Sequence, residues 1–133
     1  MKFAEKRNFF RLAVEIPVLI EFTQSEKMLR SRQVNGYIRN LGGGGIKLET
    51  RTRFRPKRRI NVEFDLPFND HKTSVQKFYL TAEVTRSEKL ENNNKFSYGL
   101  KFVNILPPVQ DRIVKYLFDT QISSRYHVKE VEA

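Results

Sequence analysis

The chain of 133 residues contains no cysteine. That excludes disulfides and cysteine-ligated zinc, and it is compatible with a reducing compartment. Histidine is nearly as scarce, with His71 in a predicted loop and His127 in the C-terminal tail. Each reads as a solvated polar residue, so nucleophilic or metal-assisted catalysis has little to start from. No apolar run approaches the roughly 20 residues of a membrane-crossing helix. The first residues, Met1-Lys2-Phe3-Ala4-Glu5-Lys6, lack the apolar core of a signal peptide. Neither an internal repeat nor a low-complexity linker interrupts the chain. Acidic residues are in deficit: 15 Asp and Glu against 25 Lys and Arg leave a net charge of +10. These absences imply a soluble, cytoplasmic, non-enzymatic domain, without metal or cofactor, that favours anionic partners.

What is present is enough apolar residue for a core. They make up 39% of the chain, and 11 of them are Phe. The dominant pattern is alternation. Val14, Ile16, Val18, Ile20 and Phe22 share one face of an extended ribbon, with Glu15 and Glu21 on the other. The same period recurs at Ile60, Val62, Phe64 and Leu66, at Phe78, Leu80, Ala82 and Val84, and at Phe96, Tyr98, Leu100 and Phe102. Shorter strands are expected at 33–40 and 45–49. Six strands at this spacing, broken by Pro67-Phe68-Asn69-Asp70 and by Asn92-Asn93-Asn94, predict a six-stranded antiparallel β-barrel. After Pro107-Pro108 the period changes: Val109, Ile113, Tyr116 and Leu117 form one helical stripe, expected to close a barrel mouth or pack on its side. The chain divides into an arm at 1–12, expected to be flexible because it is a terminus outside the predicted strands, a barrel plus helix at 13–122, and a frayed tail at 123–133.

Two short segments stand out chemically. Arg7 and Arg11 lie four apart before the first strand, and Asn40-Leu41-Gly42-Gly43-Gly44-Gly45 joins two short strands. A guanidinium is a permanently charged planar fork suited to phosphate and to the O6/N7 edge of guanine. A glycine run admits a ligand close to the backbone, and equally suits a tight turn or bulge. It is not a phosphate-binding P-loop, since Gly45-Ile46-Lys47-Leu48 lacks the Gly-Lys-Ser/Thr ending. The densest charge, Arg51, Arg53, Arg55, Lys57, Arg58 and Arg59, reads as a solvated basic turn, with docking of an acidic partner as the sharper alternative.

In these features the chain resembles the PilZ domain family over roughly residues 6 to 120. The family carries Arg-x-x-x-Arg before its first strand and Asp/Asn-x-Ser-x-x-Gly after a later one. Arg7 and Arg11 match the first motif, Asn40 and Gly45 the ends of the second, and Tyr98-Gly99-Leu100-Lys101-Phe102 is similar to the late strand. The resemblance implies a six-stranded barrel with a C-terminal helix that binds cyclic di-GMP and signals to a downstream protein. It implies ligand contacts from Arg7, Arg11 and Asn40, with the backbone of Gly42, Gly43 and Gly45 approaching the nucleotide. Arg86, just beyond the strand at 78–84, is a further candidate contact. Motility, adhesion and surface polysaccharide are the processes that fit.

The motif serine is Gly42 here. A lost neutral hydrogen bond costs about 0.5–1.5 kcal/mol, while the charged arginine contacts are individually stronger. Binding is therefore expected to persist, with water or the Gly43 N–H as substitute. The expected mechanism is ordering of the arm at 1–12 by a ligand that bridges it to the barrel loop. Two other readings remain: a PilZ-like adaptor that binds protein without nucleotide, and a basic barrel that binds nucleic acid.

Overall fold

The structure, a computed structural model, describes residues 11–25, 28–69, 74–91 and 94–132. Six strands and one helix follow in order: β1 (Arg11–Ser25), β2 (Met28–Gly42), β3 (Gly45–Thr50), β4 (Arg59–Phe68), β5 (Ser74–Leu90), β6 (Lys95–Phe102) and α1 (Pro107–Glu132). All pairings are antiparallel and the sheet closes in the order β1-β2-β3-β6-β5-β4. The final seam is short, with only Leu19, Ile20 and Glu21 of β1 opposite Glu63, Val62 and Asn61 of β4.

The alternating residues fill the inside. Ile60, Val62, Phe64 and Leu66 are all buried, as are Phe78, Ala82, Val84, Tyr98, Leu100 and Phe102. β2 and β5 run longer than alternation predicts. Their outer halves, around Arg30 to Arg32 and Thr85 to Lys89, are exposed on both faces and are held by ladder pairing to β1 and β6. Hydrogen bonding to a neighbour needs no apolar face, so hydropathy did not mark them. Arg11 and Leu12, assigned to the arm by sequence, already belong to β1. The helix covers 123–132, assigned to a tail; no Pro or Gly there breaks it.

The two barrel mouths are closed differently. At one, α1 inserts the fully buried Ile113 and Leu117, with Tyr116 against Phe68 at 6.2 Å between ring centroids. Arg112 stacks 3.7 Å over the Phe68 ring and its Nε donates to Gln76 at 3.0 Å. The helix thus closes the mouth, one of the two placements the stripe allowed. At the other end the basic connection 51–58 supplies a plug. Phe54, 6% exposed, packs edge-on against Phe22 and Tyr98. Its N–H donates to the Tyr98 hydroxyl at 2.8 Å, and that hydroxyl donates to the Thr52 carbonyl at 2.9 Å.

Burial pushes the Tyr98 phenol up from its ordinary value. A raised folded-state value means that its stabilising contribution is complete below about pH 10 and is lost as pH climbs further. Removing the hydroxyl strands the buried Phe54 N–H. We expect Tyr98→Phe to lose about 1–3 kcal/mol in urea denaturation, with a lower midpoint and an unchanged slope.

Closure of the ring also depends on Gly45. A β-carbon there would collide with the carbonyl oxygen of Leu100 on β6, which is backbone and has nowhere to move. Gly45→Ala therefore forces β3 from β6, and a loss of about 1–3 kcal/mol is expected in the same assay.

Candidate functional site

The glycine run lies at the corner between β2 and β3, at the helix-capped end. Ile38 and Leu41 are both fully buried although three residues apart, a spacing that strict alternation forbids. A bulge resolves it: Ile38 pairs with Leu48 and Asn40 with Lys47, leaving Arg39 as the extra residue. A second bulge in β1, between Ala13 and Ile16, matches it. Asn40 consequently faces out, half-buried, beside the exposed Ala13.

Arg11 opens β1 directly opposite Gly42 and is exposed. It sits diagonally from Asn40, a relation that places side chains about 7–8 Å apart on one face. Gly42 and Gly43 are buried, and Gly44 is exposed. The Gly43 carbonyl accepts from Gln110 Nε2 of α1 at 3.0 Å, and the Gly44 carbonyl accepts from the Phe102 N–H at 3.0 Å. Among the described residues no glycine has a positive φ. The run therefore does not serve a left-handed turn, and at Gly45 it serves the close approach of β3 to the β6 backbone.

One rung of the barrel wall connects these residues to Arg86. Ala13, Asn40, Lys47, Gly99 and Arg86 are successive partners across β1, β2, β3, β6 and β5. A bulge at Thr85 brings Arg86 onto this rung, and Thr85 Oγ1 donates to the Gly99 carbonyl at 3.0 Å. Gly99 has no side chain to fill the space. A β-carbon there would meet Arg86 Cβ at 3.5 Å and Arg86 Nε at 3.8 Å, so the arginine lies along bare backbone. The result is an exposed outer face with Arg11, Lys47 and Arg86 around Asn40 and Gly99.

Arg39 is the neighbouring cation that is already committed. It contacts Glu49 at 3.3 Å and Glu15 at 3.3 Å, and the hydrogen bond to Glu49 holds its guanidinium above the usual value. It therefore braces the bulge and leaves Asn40 clear.

Of the residues singled out by sequence, Arg11, Asn40, Gly42, Gly43 and Gly45 come together at this corner, with Arg86 across the wall. Arg7 lies outside the described residues. Sequence reasoning missed Lys47 and Gln110. The signal for Lys47 was its position between the buried Ile46 and Leu48, which turns it outward. Gln110 gave none, since a polar residue on a helix flank is ordinary.

The sequence matches the PilZ domain over residues 5–119. The inhibitor of motility from Bacillus subtilis superposes with a TM-score of 0.71 at 19% identity, over 90% of this chain and 53% of that one. YcgR from Escherichia coli in complex with c-di-GMP gives 0.67 at 15% identity, over 95% and 50%. The isolated PilZ domain of YcgR with c-di-GMP gives 0.63 at 14%, over 93% and 98%. The chain thus spans about half the length of the first two and nearly all of the third. At such identities these structures establish the fold alone. The family match, covering most of the chain, goes further: the chain belongs to the PilZ domain family.

Proposed function

We propose that the chain is a cyclic di-GMP receptor whose ligand lies on the outer barrel wall at the β2–β3 corner. The observation that carries the reading is the pairing of Arg11 with Gly42, which sets a guanidinium beside the glycine run and diagonal to Asn40. Two of the similar structures hold c-di-GMP on this fold. Arg11 and Arg7 take a phosphate and the O6/N7 edge of a guanine. Asn40 accepts from a guanine amine through its side-chain oxygen. Gly42, Gly43 and Gly45 let the nucleotide approach the backbone, and Arg86 and Lys47 add positive charge further along the wall.

Arg7 is four residues before Arg11, and an extended chain covers about 3.3–3.6 Å per residue. It can therefore reach any part of the corner. In this reading the arm at 1–12 is ordered by the ligand, and the signal passes to a partner protein through the re-presented arm. The Gln110 bond to the Gly43 carbonyl offers a second route, into α1. A rival reading, a PilZ adaptor that binds no nucleotide, draws its support from Gly42, which lacks the hydroxyl of the family motif.

Calorimetric titration with cyclic di-GMP separates the two. Saturable binding by the wild type is expected, with Arg7→Ala and Arg11→Ala each weaker by about 1.5–3 kcal/mol, roughly ten- to a hundredfold. Gly42→Ser should tighten binding by about 0.5–1.5 kcal/mol if the hydroxyl finds the ligand. A folded wild type that gives no heat supports the adaptor. A double arginine variant that binds like the wild type places the site elsewhere. Amide exchange over 1–12 reports the arm, where unchanged protection at saturating ligand rules out its ordering.

A further inference from the structure

Among the described residues, a dense group of cations gathers at the mouth opposite the glycine corner, on a loop that the fold holds in place. Within 51–58 the alternation is strict up to Arg55: Thr52 and Phe54 turn into the barrel, while Arg51, Arg53 and Arg55 are exposed. The loop is fixed at both ends and in the middle. Thr50 Oγ1 donates to the Asn35 carbonyl at 2.9 Å, Phe54 is anchored on Tyr98, and the Lys57 N–H donates to the Val84 carbonyl at 2.8 Å. Lys57 itself holds a left-handed φ of 64°, a conformation that a non-glycine residue keeps only when its surroundings impose it. Arg58 donates to the Thr23 carbonyl and lies over the Phe22 ring, tying the loop to the end of β1. Across that strand end, exposed Arg30 and Arg32 extend from β2, with Arg32 opposite Phe22.

The six cations Arg30, Arg32, Arg51, Arg53, Arg55 and Lys57 make no ion pair with any described residue. Nearby carboxylates are largely spent: Glu49 on Arg39 and Lys95, Glu83 on Arg59. Glu88 and Glu91 remain, with Lys89 between them. The helix end is by contrast balanced, with Asp111 and Asp119 alongside Arg112 and Lys115.

We infer that this basic pole docks on an anionic lipid surface. The choice among polyanions follows from what accompanies the charge. A protein interface centres on a cluster of aromatic or apolar anchors, but of the large exposed hydrophobics described (Tyr37, Val75, Tyr79, Leu106, Phe118, Ile122) Tyr37 alone borders the pole, on its flank in a hollow shared with Arg51, and the others lie on the barrel wall or the helix end. Single-stranded nucleic acid calls for open aromatic faces to stack on, yet at the pole Phe54 and Tyr98 are buried, while Phe22 and Phe96 are half-buried against the core, Phe22 beneath Arg58. Many charges with a single flanking aromatic are the arrangement that a diffuse layer of lipid phosphates accepts. Because the loop is already ordered, little conformational entropy opposes docking. In this orientation the glycine corner and α1 point away from the bilayer. The inference does not depend on whether the corner binds nucleotide.

The test is co-sedimentation of the full chain with phosphatidylcholine vesicles, with and without phosphatidylglycerol. Wild type should pellet only with the anionic vesicles and be released by salt. The variant R51Q/R53Q/R55Q, whose exposed side chains make no ion pair with a described residue, should keep its circular dichroism and partition about fivefold less per arginine removed, roughly a hundredfold in all. A folded triple variant that pellets like the wild type overturns the proposal. So does a wild type that ignores anionic vesicles, and one that does so while binding single-stranded DNA with a steep salt dependence assigns the pole to nucleic acid instead. A parallel nucleotide titration of the triple variant keeps the two sites distinguishable.

Discussion

The geometry of this protein turns on a side chain that is missing. Gly45 lets β3 lie against the Leu100 carbonyl of β6, and with that contact the ring passes from β2 through β3 to β6 without a gap. The consequences run outward. Once β3 is seated on β6, Lys47 falls opposite Gly99; once β2 is seated on β3, Asn40 falls opposite Lys47. A second bare position, Gly99, then leaves a lane along which Arg86 lies. The outer face that gathers these polar groups is thus fixed by interior closure, and the same glycines that serve packing leave the surface low enough for a ligand to approach.

Much of the fold was legible in the sequence because the interior is written in period two. The four long alternating runs, the barrel and the closing helix all follow from which residues must share a dry face. What escaped was whatever does not depend on burial. The outer halves of β2 and β5 are held chiefly by backbone pairing, without an apolar face. The bulges at Arg39 and Thr85 shift the parity of their strands, and nothing in composition announces a one-residue insertion. The basic connection hid most. Its charge suggested a solvated turn, and Arg51, Arg53 and Arg55 are indeed exposed, but the same segment carries Phe54, which plugs the mouth. A lone Phe among arginines looks incidental until the opening it fills is known.

The corner was legible in part for a related reason. Spacing alone pointed to Arg11, Asn40 and the glycines, but could not say that a strand register would bring Arg11 to Gly42 or carry Arg86 onto the rung of Asn40. Cross-strand neighbours are separated by tens of residues, so only the closed sheet reveals them. PilZ domains are binding modules without catalytic chemistry, and what this wall offers a ligand is cations, an amide and bare backbone.

How such a module could transmit anything is limited by its construction. A closed ring with a packed interior does not deform gradually, since each strand is fixed on both sides. Any response must come from parts attached at the rim. At the glycine corner one such part is α1, whose Gln110 reaches the Gly43 carbonyl while Ile113 and Leu117 keep the helix seated in the mouth. The hydrogen bond is worth about 1 kcal/mol and the two buried aliphatic side chains several times that. A ligand at the corner that repositions Gly43 can therefore tilt the first turn of the helix but cannot unseat it. A larger rearrangement has to come from outside the ring, and the chain before β1 leads into the corner at Arg11. Under the proposed reading, the arm is where an output of useful amplitude arises, and the helix adjusts around it.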